Sequence, residues 1–262
     1  MSNMINPVVV APEELHDRLA ALKAEGYDFL ECLTGCDWGE EGLGVVYSLT
    51  KSSTTFEMTH VKCVAADKEN PTLPTVCDLW DIANIYEREV YDFYGIIFLG
   101  HPDMRRLFLR EDWVGFPMRK DDKPEEKNAE IPSTNEEISD TRHKYTLDAD
   151  GKLQCEDTPV FADDAYVVNI GPQHPSTHGV LHLRTAIEGE RVKQIDPHLG
   201  YIHRGIEKIN ESLTYPQTLA LTDRMDYLGA MQTRHALCMC IEQAMGIEVS
   251  ERVKVIRTIM DE

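Results

Sequence analysis

Apolar positions recur at helical spacing near the start of the chain. Leu15, Leu19 and Leu22 fall on one face of residues 12–25, and Gly26 follows directly. A spacing of three to four residues places side chains on one side of a helix, and glycine is favoured just after a helix ends. The pattern therefore predicts a first helix with one buried face.

The next apolar segments are shorter and have the composition of strands. Residues 44–50 and 56–65 are rich in β-branched and aromatic residues, and short polar residues between them suit a turn. Residues 75–94 return to helical spacing and are followed by Gly95. We expect a first α+β unit, in which a helix and a helical segment pack on a small antiparallel sheet.

Strands are predicted again in the second half of the chain and are followed by helices. Strand-like patterns cover residues 166–170, 180–188 and 191–196, and helical patterns cover residues 227–245 and 250–262. The whole chain is expected to be an α+β protein, with a short antiparallel β region leading into a helical domain. Because the last helical pattern continues to the final residue, we expect a fragment of a longer protein.

The composition changes between these two halves. Residues 121–164 contain 14 acidic and 5 basic residues, a net charge of −9, and few large apolar ones. Such a segment cannot bury enough apolar surface to fold alone. We interpret it as a linker that lies over a neighbouring domain or stays mobile.

The charge and the cysteines limit the class of protein. The chain of 262 residues has a formal net charge of −20. This charge argues against a nucleic-acid-binding or anionic-membrane surface, and no apolar run approaches the roughly 20 residues of a membrane-spanning helix. The N-terminus lacks the pattern of a secretory signal, so the seven cysteines are interpreted as reduced, buried thiols. No pair of them has a common zinc or iron–sulfur spacing, and we predict no metal site.

The segment 171–179, GPQHPSTHG, has the most unusual composition. Its two histidines, His174 and His178, are four residues apart, a spacing that could bind a metal on a helix. The prolines and glycines of this segment oppose a helix. A tight loop that holds an imidazole next to a ligand therefore remains open beside a turn with only local hydrogen bonds.

Charged residues also cluster within residues 86–106. Glu87, Arg88, Glu89 and Asp92 alternate with aromatic residues. Two carboxylates three residues apart could form an acid–base site. We favour an ion-paired network instead, in which Arg88, Arg105 or Arg106 neutralises the acids at a helix end or a subunit contact. The segment 223–227, DRMDY, is similarly explained by helix capping with a surface ion pair, unless its Tyr or Arg is buried with partners.

Together these segments resemble two components of respiratory complex I, the proton-pumping NADH-quinone oxidoreductase. Residues 1–122 resemble its 30 kDa, or C-type, subunit, and residues 166–262 resemble the start of its 49 kDa, or D-type, subunit. The C-like motif comprises Glu87-Arg88-Glu89, Asp92, Gly95, Gly100-His101-Pro102, Arg105-Arg106, Trp113 and Arg119-Lys120-Asp121. The D-like motifs are GPQHPSTHGVLHL, GYIHRGIEK at residues 200–208 and DRMDY. The resemblance implies a bacterial fused C/D protein in which residues 123–165 form the acidic linker.

The resemblance also implies a role in quinone reduction. By matching position, Tyr227 donates a hydrogen bond and a proton to a quinone oxygen, His178 assists, and His174 shapes the loop. Arg204 matches a residue next to the terminal iron–sulfur cluster, where its charge would raise the reduction potential. That cluster belongs to a B-type partner subunit, and this chain alone is expected to bind no cofactor and to be inactive. The implied location is the cytoplasmic face of the bacterial inner membrane, in contact with membrane-arm subunits.

Two other classes of function are weighed against this one. A nickel–iron hydrogenase large subunit has a similar HRGIEK-like run, but its CxxC ligands are replaced by residues 226–229, DYLG. A scaffold or docking subunit of a related membrane-bound oxidoreductase, which takes electrons from ferredoxin or another donor, is the second alternative. The sequence leaves open whether the donor is NADH and whether the quinone is menaquinone or ubiquinone.

Overall fold

The structure is a computed structural model and describes residues 6–122, 138–175 and 179–262. Its residues form two compact units, one up to His203 and one over Arg204–Glu262. Helices and small, mostly antiparallel sheets are mixed along the chain, and helices dominate toward the C-terminus. The predicted α+β fold class is confirmed. The division into residues 1–122, 123–165 and 166–262 stays a prediction.

The N-terminal unit is built around a four-stranded sheet with the strand order β1-β4-β3-β2. The strands are β1 (Val8–Val10), β2 (Phe29–Asp37), β3 (Leu43–Thr50) and β4 (Met58–Val64). β1 pairs parallel to β4, whereas the β2–β3 and β3–β4 pairs are antiparallel. β1 and β2 were not predicted, and in β2 the reason is visible at Gly35. A Cβ atom there would lie 2.4 Å from the ring of Tyr94, so this strand position requires a glycine, which weakens the strand signal.

Helix α1 (Leu15–Ala24) packs its leucine face into the core of this unit. Leu15, Leu19 and Leu22 are all buried, as the helical spacing predicts. A 3-10 turn, Pro12–Glu14, precedes the helix. Burying each leucine contributes about 2 kcal/mol, so this face fixes α1 against the sheet.

Helix α2 (Ala83–Tyr94) begins eight residues later than the apolar pattern of residues 75–94 indicates. The residues before it take irregular turns because the buried carboxylate of Glu87 accepts hydrogen bonds from the Val76 N–H and the Thr75 hydroxyl, at 2.8 and 2.6 Å. In one straight helix, residues 76 and 87 would lie about 16 Å apart along the axis, so the Glu87 side chain could not reach the Val76 N–H. Strand β5 (Thr72–Pro74) lies just before and pairs parallel with β6 (Ile97–Leu99).

Part of the acidic segment forms a hairpin. Strands β7 (Thr141–Leu147) and β8 (Leu153–Pro159) pair antiparallel, although the composition of this segment gave no sign of strands. The N–H groups of Gly100 and Met104 donate to the carbonyl oxygens of Tyr145 and His143, each at 2.8 Å. These bonds to the preceding loop, rather than apolar burial along the hairpin, explain why the segment orders where the sequence predicts a linker.

The β region that follows agrees with the predicted strands. β9 (Tyr166–Ile170), β12 (His182–Glu188) and β13 (Arg191–His198) form a three-stranded antiparallel sheet with the order β13-β12-β9. Between β9 and β12, the two-residue strands β10 (Gln173–His174) and β11 (Gly179–Val180) pair with each other. Gln173, His174 and Gly179 of the histidine-containing segment therefore lie in strands.

The C-terminal unit is helical, with α3 (Ile206–Glu211), α4 (Tyr215–Thr222), α5 (Ala230–Met245) and α6 (Glu251–Asp261). Thr214 and Gln217 form a reciprocal capping box at the start of α4. Large apolar side chains on this unit are exposed, among them Leu228, Met245 and Ile259. Among the described residues, none of the helices has the length and apolar character needed to cross a bilayer.

Candidate functional site

The last turn of α2 holds a buried carboxylate that organises the loop after β6. One oxygen of Asp92 accepts hydrogen bonds at 2.8–3.1 Å from three successive backbone N–H groups, those of Leu107, Phe108 and Leu109. Its other oxygen accepts from the Arg106 guanidinium at 2.9 Å. A fully buried charge is tolerated only when it is paired and hydrogen-bonded. Asp92 therefore sets the path of this loop.

Arg106 extends the same cluster to the segment that closes the C-like region. Its guanidinium donates to the carbonyl oxygens of Trp113 and Gly115 at 3.0 and 3.1 Å. It also lies over the ring of Phe116, 5.3 Å from the centroid. Residues 113–116 are thus held to the end of α2 through one cation.

Arg105 connects the C-like region to the D-like β region. Its guanidinium is 2% exposed and donates to the carboxylates of Asp103, at 2.7 Å, and Asp196, at 2.8 Å. It also donates to the carbonyl oxygen of Ser139 at 3.0 Å. Its neighbours are therefore two carboxylates and a carbonyl oxygen, which compensate for its burial and raise its pKa further.

Asp196 on β13 is the centre of this connection. It accepts from Arg105, from Arg184 on β12 at 2.6 Å and from His198 at 2.8 Å. These donors hold the pKa of Asp196 far below its usual range, against the opposing effect of burial. Arg184 also pairs with Asp140, next to the start of the hairpin. A single buried carboxylate thus links β12, β13 and the loop around Arg105.

The other charged residues of α2 have internal partners as well. Arg88 donates to the carbonyl oxygens of Arg105 and Arg106 at 3.1 and 3.0 Å. Burial raises the pKa of Glu87 to about 7. Glu89 lies half-buried on the same helix. Asp92 has the arginine partner that the ion-paired network predicts, whereas Glu87 accepts from neutral donors. The role of these residues stays a prediction.

A row of polar side chains follows the inward face of the D-like sheet. The His182 ring contacts the Tyr201 hydroxyl at 3.1 Å and the Asn169 amide oxygen at 3.4 Å, and it lies 5.6 Å from the His198 ring. Burial and the nearby His198 and Arg184 lower the pKa of His182. This ring therefore lies at the edge of the Asp196 network.

A polar cavity of about 150 Å³ lies at the junction of the C-like and D-like regions, where Arg105 contacts Asp196. The cavity is lined by residues 105–111 and 198–201 together with Ile138 and Ser139. Beside it, the ring of His203 packs 5.1 Å from Phe93 and 5.0 Å from Phe108. The backbone of Gly200 approaches the Phe108 carbonyl so closely that a Cβ would lie 2.2 Å from its oxygen. The cavity is large enough for a few water molecules and too small for a quinone ring with its substituents.

The residues that the sequence associates with quinone lie elsewhere and on exposed positions. Tyr227 is 63% exposed and lies between α4 and α5, where the Asp226 carboxylate accepts from the N–H groups of Leu228 and Gly229. His174 is exposed on β10, and Arg204 is exposed at the start of the C-terminal unit. His178 lies outside the described residues.

Within the described ranges, two groups of side chains have the donor types and spacing of a metal site. The first is Cys77, Glu87 and His101 in the core of the N-terminal unit. Both ring nitrogens of His101 are already used, one on the Asn84 carbonyl at 3.1 Å and one on the Asp103 N–H at 2.9 Å. This group therefore has no free imidazole lone pair for a cation. The second group lies on the β7–β8 hairpin.

The sequence missed several residues of the junction, namely Asp196, Arg184, His198 and His182. A usable signal was present in β12, where His182, Arg184 and Ala186 occupy alternate positions of one face. Polar residues on the inward face of a strand indicate buried partners. The expectation that all cysteines are buried holds fully only for Cys63. Cys155 and Cys240 are exposed, and the other four are partly buried. Every residue of β8, which carries Cys155, is exposed.

The chain is similar to proteins that are named as subunits of NADH-quinone oxidoreductase. Residues 8–128 match the family model described as the 30 kDa subunit of respiratory-chain NADH dehydrogenase. A protein of Bacteroides thetaiotaomicron, named as the C/D subunit of NADH-quinone oxidoreductase, is 58% identical over 97% of this chain and 49% of its own length. A protein of the same name from Phocaeicola vulgatus is 57% identical over 99% of this chain and 50% of its own length.

A solved fragment of Nqo5 is 38% identical, with a TM-score of 0.34, and the match covers 36% of this chain and 79% of the fragment. The chain spans about half the length of the curated relatives it matches.

Proposed function

Because the chain belongs to the family of fused C/D subunits of NADH-quinone oxidoreductase, respiratory complex I, we propose that it forms part of the peripheral arm of that enzyme. The observation that carries this proposal is the 58% identity over 97% of the chain, which includes both the C-like and the D-like motifs. The arm would lie on the cytoplasmic face of the inner membrane. Electrons would reach the quinone from iron–sulfur clusters of partner subunits, and the quinone would come from the membrane.

Tyr227 and His178 are the residues we propose at the quinone head group, with His174 shaping their loop. A quinone oxygen gains negative charge as it is reduced and then takes up protons. A phenol hydroxyl and an imidazole can each donate a hydrogen bond to that oxygen and then a proton. The exposure of Tyr227 and His174 supports this role, since neither side chain is buried in the core of its own unit.

Arg204 is proposed next to the terminal iron–sulfur cluster, which a B-type partner subunit would carry. A fixed positive charge near a cluster stabilises the reduced form and raises the reduction potential. The exposed position of Arg204 leaves its guanidinium available to such a partner. An EPR redox titration of the assembled complex with Arg204→Gln would show an unchanged cluster potential if this placement is wrong.

The test of the quinone role is Tyr227→Phe in the full-length subunit of the assembled complex. We expect quinone reductase activity to fall about 100-fold or more, because general acid catalysis contributes roughly that factor. A native gel should show an unchanged amount of assembled complex. Activity at the wild-type level in an assembled complex would remove Tyr227 from the mechanism.

A matched control is Tyr215→Phe, which removes the hydroxyl of another exposed tyrosine of the same unit. Tyr215 lies in the first turn of α4, outside the matched motif, so its variant should keep wild-type activity. Equal losses in the two variants would indicate a general effect on the unit instead of chemistry at Tyr227.

A scaffold function is the second candidate, and one observation favours it for the C-like region. Its charged motif residues Arg88, Asp92, Arg105 and Arg106 make internal hydrogen bonds. The C-like region would then position the D-like region, in complex I or in a related membrane-bound oxidoreductase that takes electrons from ferredoxin. Purified complex that reduces quinone with reduced ferredoxin but not with NADH would support the latter enzyme.

A further inference from the structure

The β7–β8 hairpin brings three different metal-binding side chains to one face. In the antiparallel register His143 lies directly opposite Asp157, and Tyr145 lies opposite Cys155. Since side chains alternate between the two faces of a strand, all four of these residues share a face. Directly opposite and diagonal neighbours on a sheet face are close enough for their side chains to meet.

The three donor atoms converge on one point. His143 Nδ1 lies 2.8 Å from Asp157 Oδ1, Cys155 Sγ lies 3.1 Å from the same oxygen, and the sulfur and nitrogen are 3.8 Å apart. Tetrahedral zinc, with bonds of about 2.0–2.3 Å, separates its ligand atoms by about 3.3–3.6 Å. Small side-chain rotations therefore convert this cluster of hydrogen bonds into a coordination shell.

The backbone that carries these ligands is already positioned. The carbonyl oxygens of His143 and Tyr145 accept hydrogen bonds from the loop at Met104 and Gly100. Tyr145 also packs against the core of the N-terminal unit. A site on a strand that is held in this way loses little conformational entropy when a metal binds.

We propose that His143 Nδ1, Cys155 Sγ and the Asp157 carboxylate form a zinc site, with water as the fourth ligand. One nitrogen, one sulfur and one oxygen donor are the ligand types of zinc, whereas calcium and magnesium prefer oxygen alone. The strongly acidic chain attracts cations to its surface. This site is independent of the proposed quinone chemistry.

Binding includes a proton balance. The thiol of Cys155 gives its proton to the buffer, and the resulting thiolate forms the bond to zinc. Desolvation and the neighbouring Asp157 carboxylate raise the pKa of this thiol. The ion would link β7 to β8 and act as a staple on the hairpin between the C-like and D-like regions.

The first experiment titrates the full chain, freed of metal by a chelator, with zinc chloride. We expect one zinc bound per chain, and an increase in melting temperature as zinc is added. Cobalt in place of zinc should produce a near-ultraviolet thiolate-to-metal charge-transfer band. Absence of zinc binding at micromolar concentrations would overturn the proposal.

The variant Cys155→Ser should weaken zinc binding at least about tenfold and abolish the cobalt band. Asp157→Asn should weaken binding but keep the band, because the thiolate remains, so it tests the site even if the serine variant misfolds. Binding that survives in Cys155→Ser with the band intact would place the metal elsewhere and overturn the proposal.

Two control variants remove similar side chains at other places. Cys240→Ser removes the other exposed thiol and should change neither the zinc affinity nor the cobalt band. His16→Ala breaks another exposed histidine–carboxylate pair, His16–Asp78, and should also leave binding unchanged. A loss of zinc binding in either control equal to that in Cys155→Ser would contradict the assignment of the site to the hairpin.

Discussion

Single buried carboxylates of this protein differ in how completely they are neutralised. Asp92 and Asp196 each accept a hydrogen bond from at least one guanidinium. The Glu87 carboxylate instead accepts from a hydroxyl, a backbone N–H and a thiol. Neutral donors stabilise a buried charge less than a cation does. The pKa of Glu87 is therefore raised to about 7, while that of Asp196 is lowered.

The raised pKa of Glu87 makes stability depend on pH in a defined direction. Between its ordinary value of 4.5 and about 7, the folded state holds a proton that the unfolded state has lost. The contribution of Glu87 is therefore fully present below 4.5 and is lost as the pH rises through about 7. As the pH rises across this window, the unfolding free energy should therefore fall less in Glu87→Gln than in the wild type. The difference between the two decreases should reach about 3 kcal/mol.

Urea denaturation at a series of pH values measures this difference. The glutamine can still accept from the Val76 N–H and donate to the Thr75 hydroxyl, so its fold is expected to persist. The control Glu14→Gln removes an exposed carboxylate and should keep the wild-type profile. Parallel profiles for wild type and Glu87→Gln would contradict the prediction.

At the scale of elements, the end of α2 and the loop after β6 form one structure. The Asp92 carboxylate replaces the missing backbone partners of three consecutive N–H groups in that loop. Regular secondary structure is absent over residues 107–109, so these buried donors depend on the side chain. Asp92 and Arg106 of the C-like motif are far apart along the chain but contact each other, because Asp92 lies at the end of α2 and Arg106 lies in this loop.

Asp92→Asn should destabilise the chain by about 3 kcal/mol. The substituted amide nitrogen would face an N–H group or the Arg106 guanidinium, donor against donor, and a buried cation would lose its partner. The midpoint of urea unfolding measures the loss. Asp112→Asn, which breaks the more exposed Arg110–Asp112 pair, should change the unfolding free energy by less than about 1 kcal/mol. Equal effects at the two sites would refute this account.

At the scale of the whole molecule, the junction between the C-like and D-like sequences is ionic. Arg105 and Asp196 are separated by 91 positions and are both nearly inaccessible to solvent. In this fused chain the contact lies within one compact unit. The junction therefore depends on charge pairs that are buried on both sides, with the polar cavity beside them.

Asp196→Asn should cost about 3 kcal/mol of unfolding free energy, because two buried guanidinium groups lose their shared anion. The lowered pKa of Asp196 means that its contribution is present at neutral pH and is lost as the pH falls below its ordinary value of 3.8. Thermal or urea unfolding at neutral pH gives the measurement. The control is Glu188→Gln, which breaks the exposed ion pair between Glu188 on β12 and Lys193 on β13. It should leave the unfolding free energy almost unchanged. A loss of stability no greater than in this control would show that the junction does not depend on Asp196.

Local patterns in the sequence were sufficient for several elements and for the family. The leucines of α1 lie on one face over neighbouring turns of the helix, so their periodicity predicts burial directly. The motifs around Glu87 and GPQHPSTHG identified the resemblance to complex I. Tyr227 and His174 stay predictions as site residues, since the quinone that they are proposed to contact is not part of the chain.

Contacts between distant positions were decided only by the tertiary structure. The start of α2 depends on Glu87 reaching back to Val76, and the β7–β8 hairpin depends on backbone bonds to residues 100–104. The Arg105–Asp196 pair and the His143–Cys155–Asp157 cluster form no sequence motif. Periodicity reports which face of an element is apolar, but the partner of a buried charge or a surface ligand is chosen by the fold that brings the two segments together.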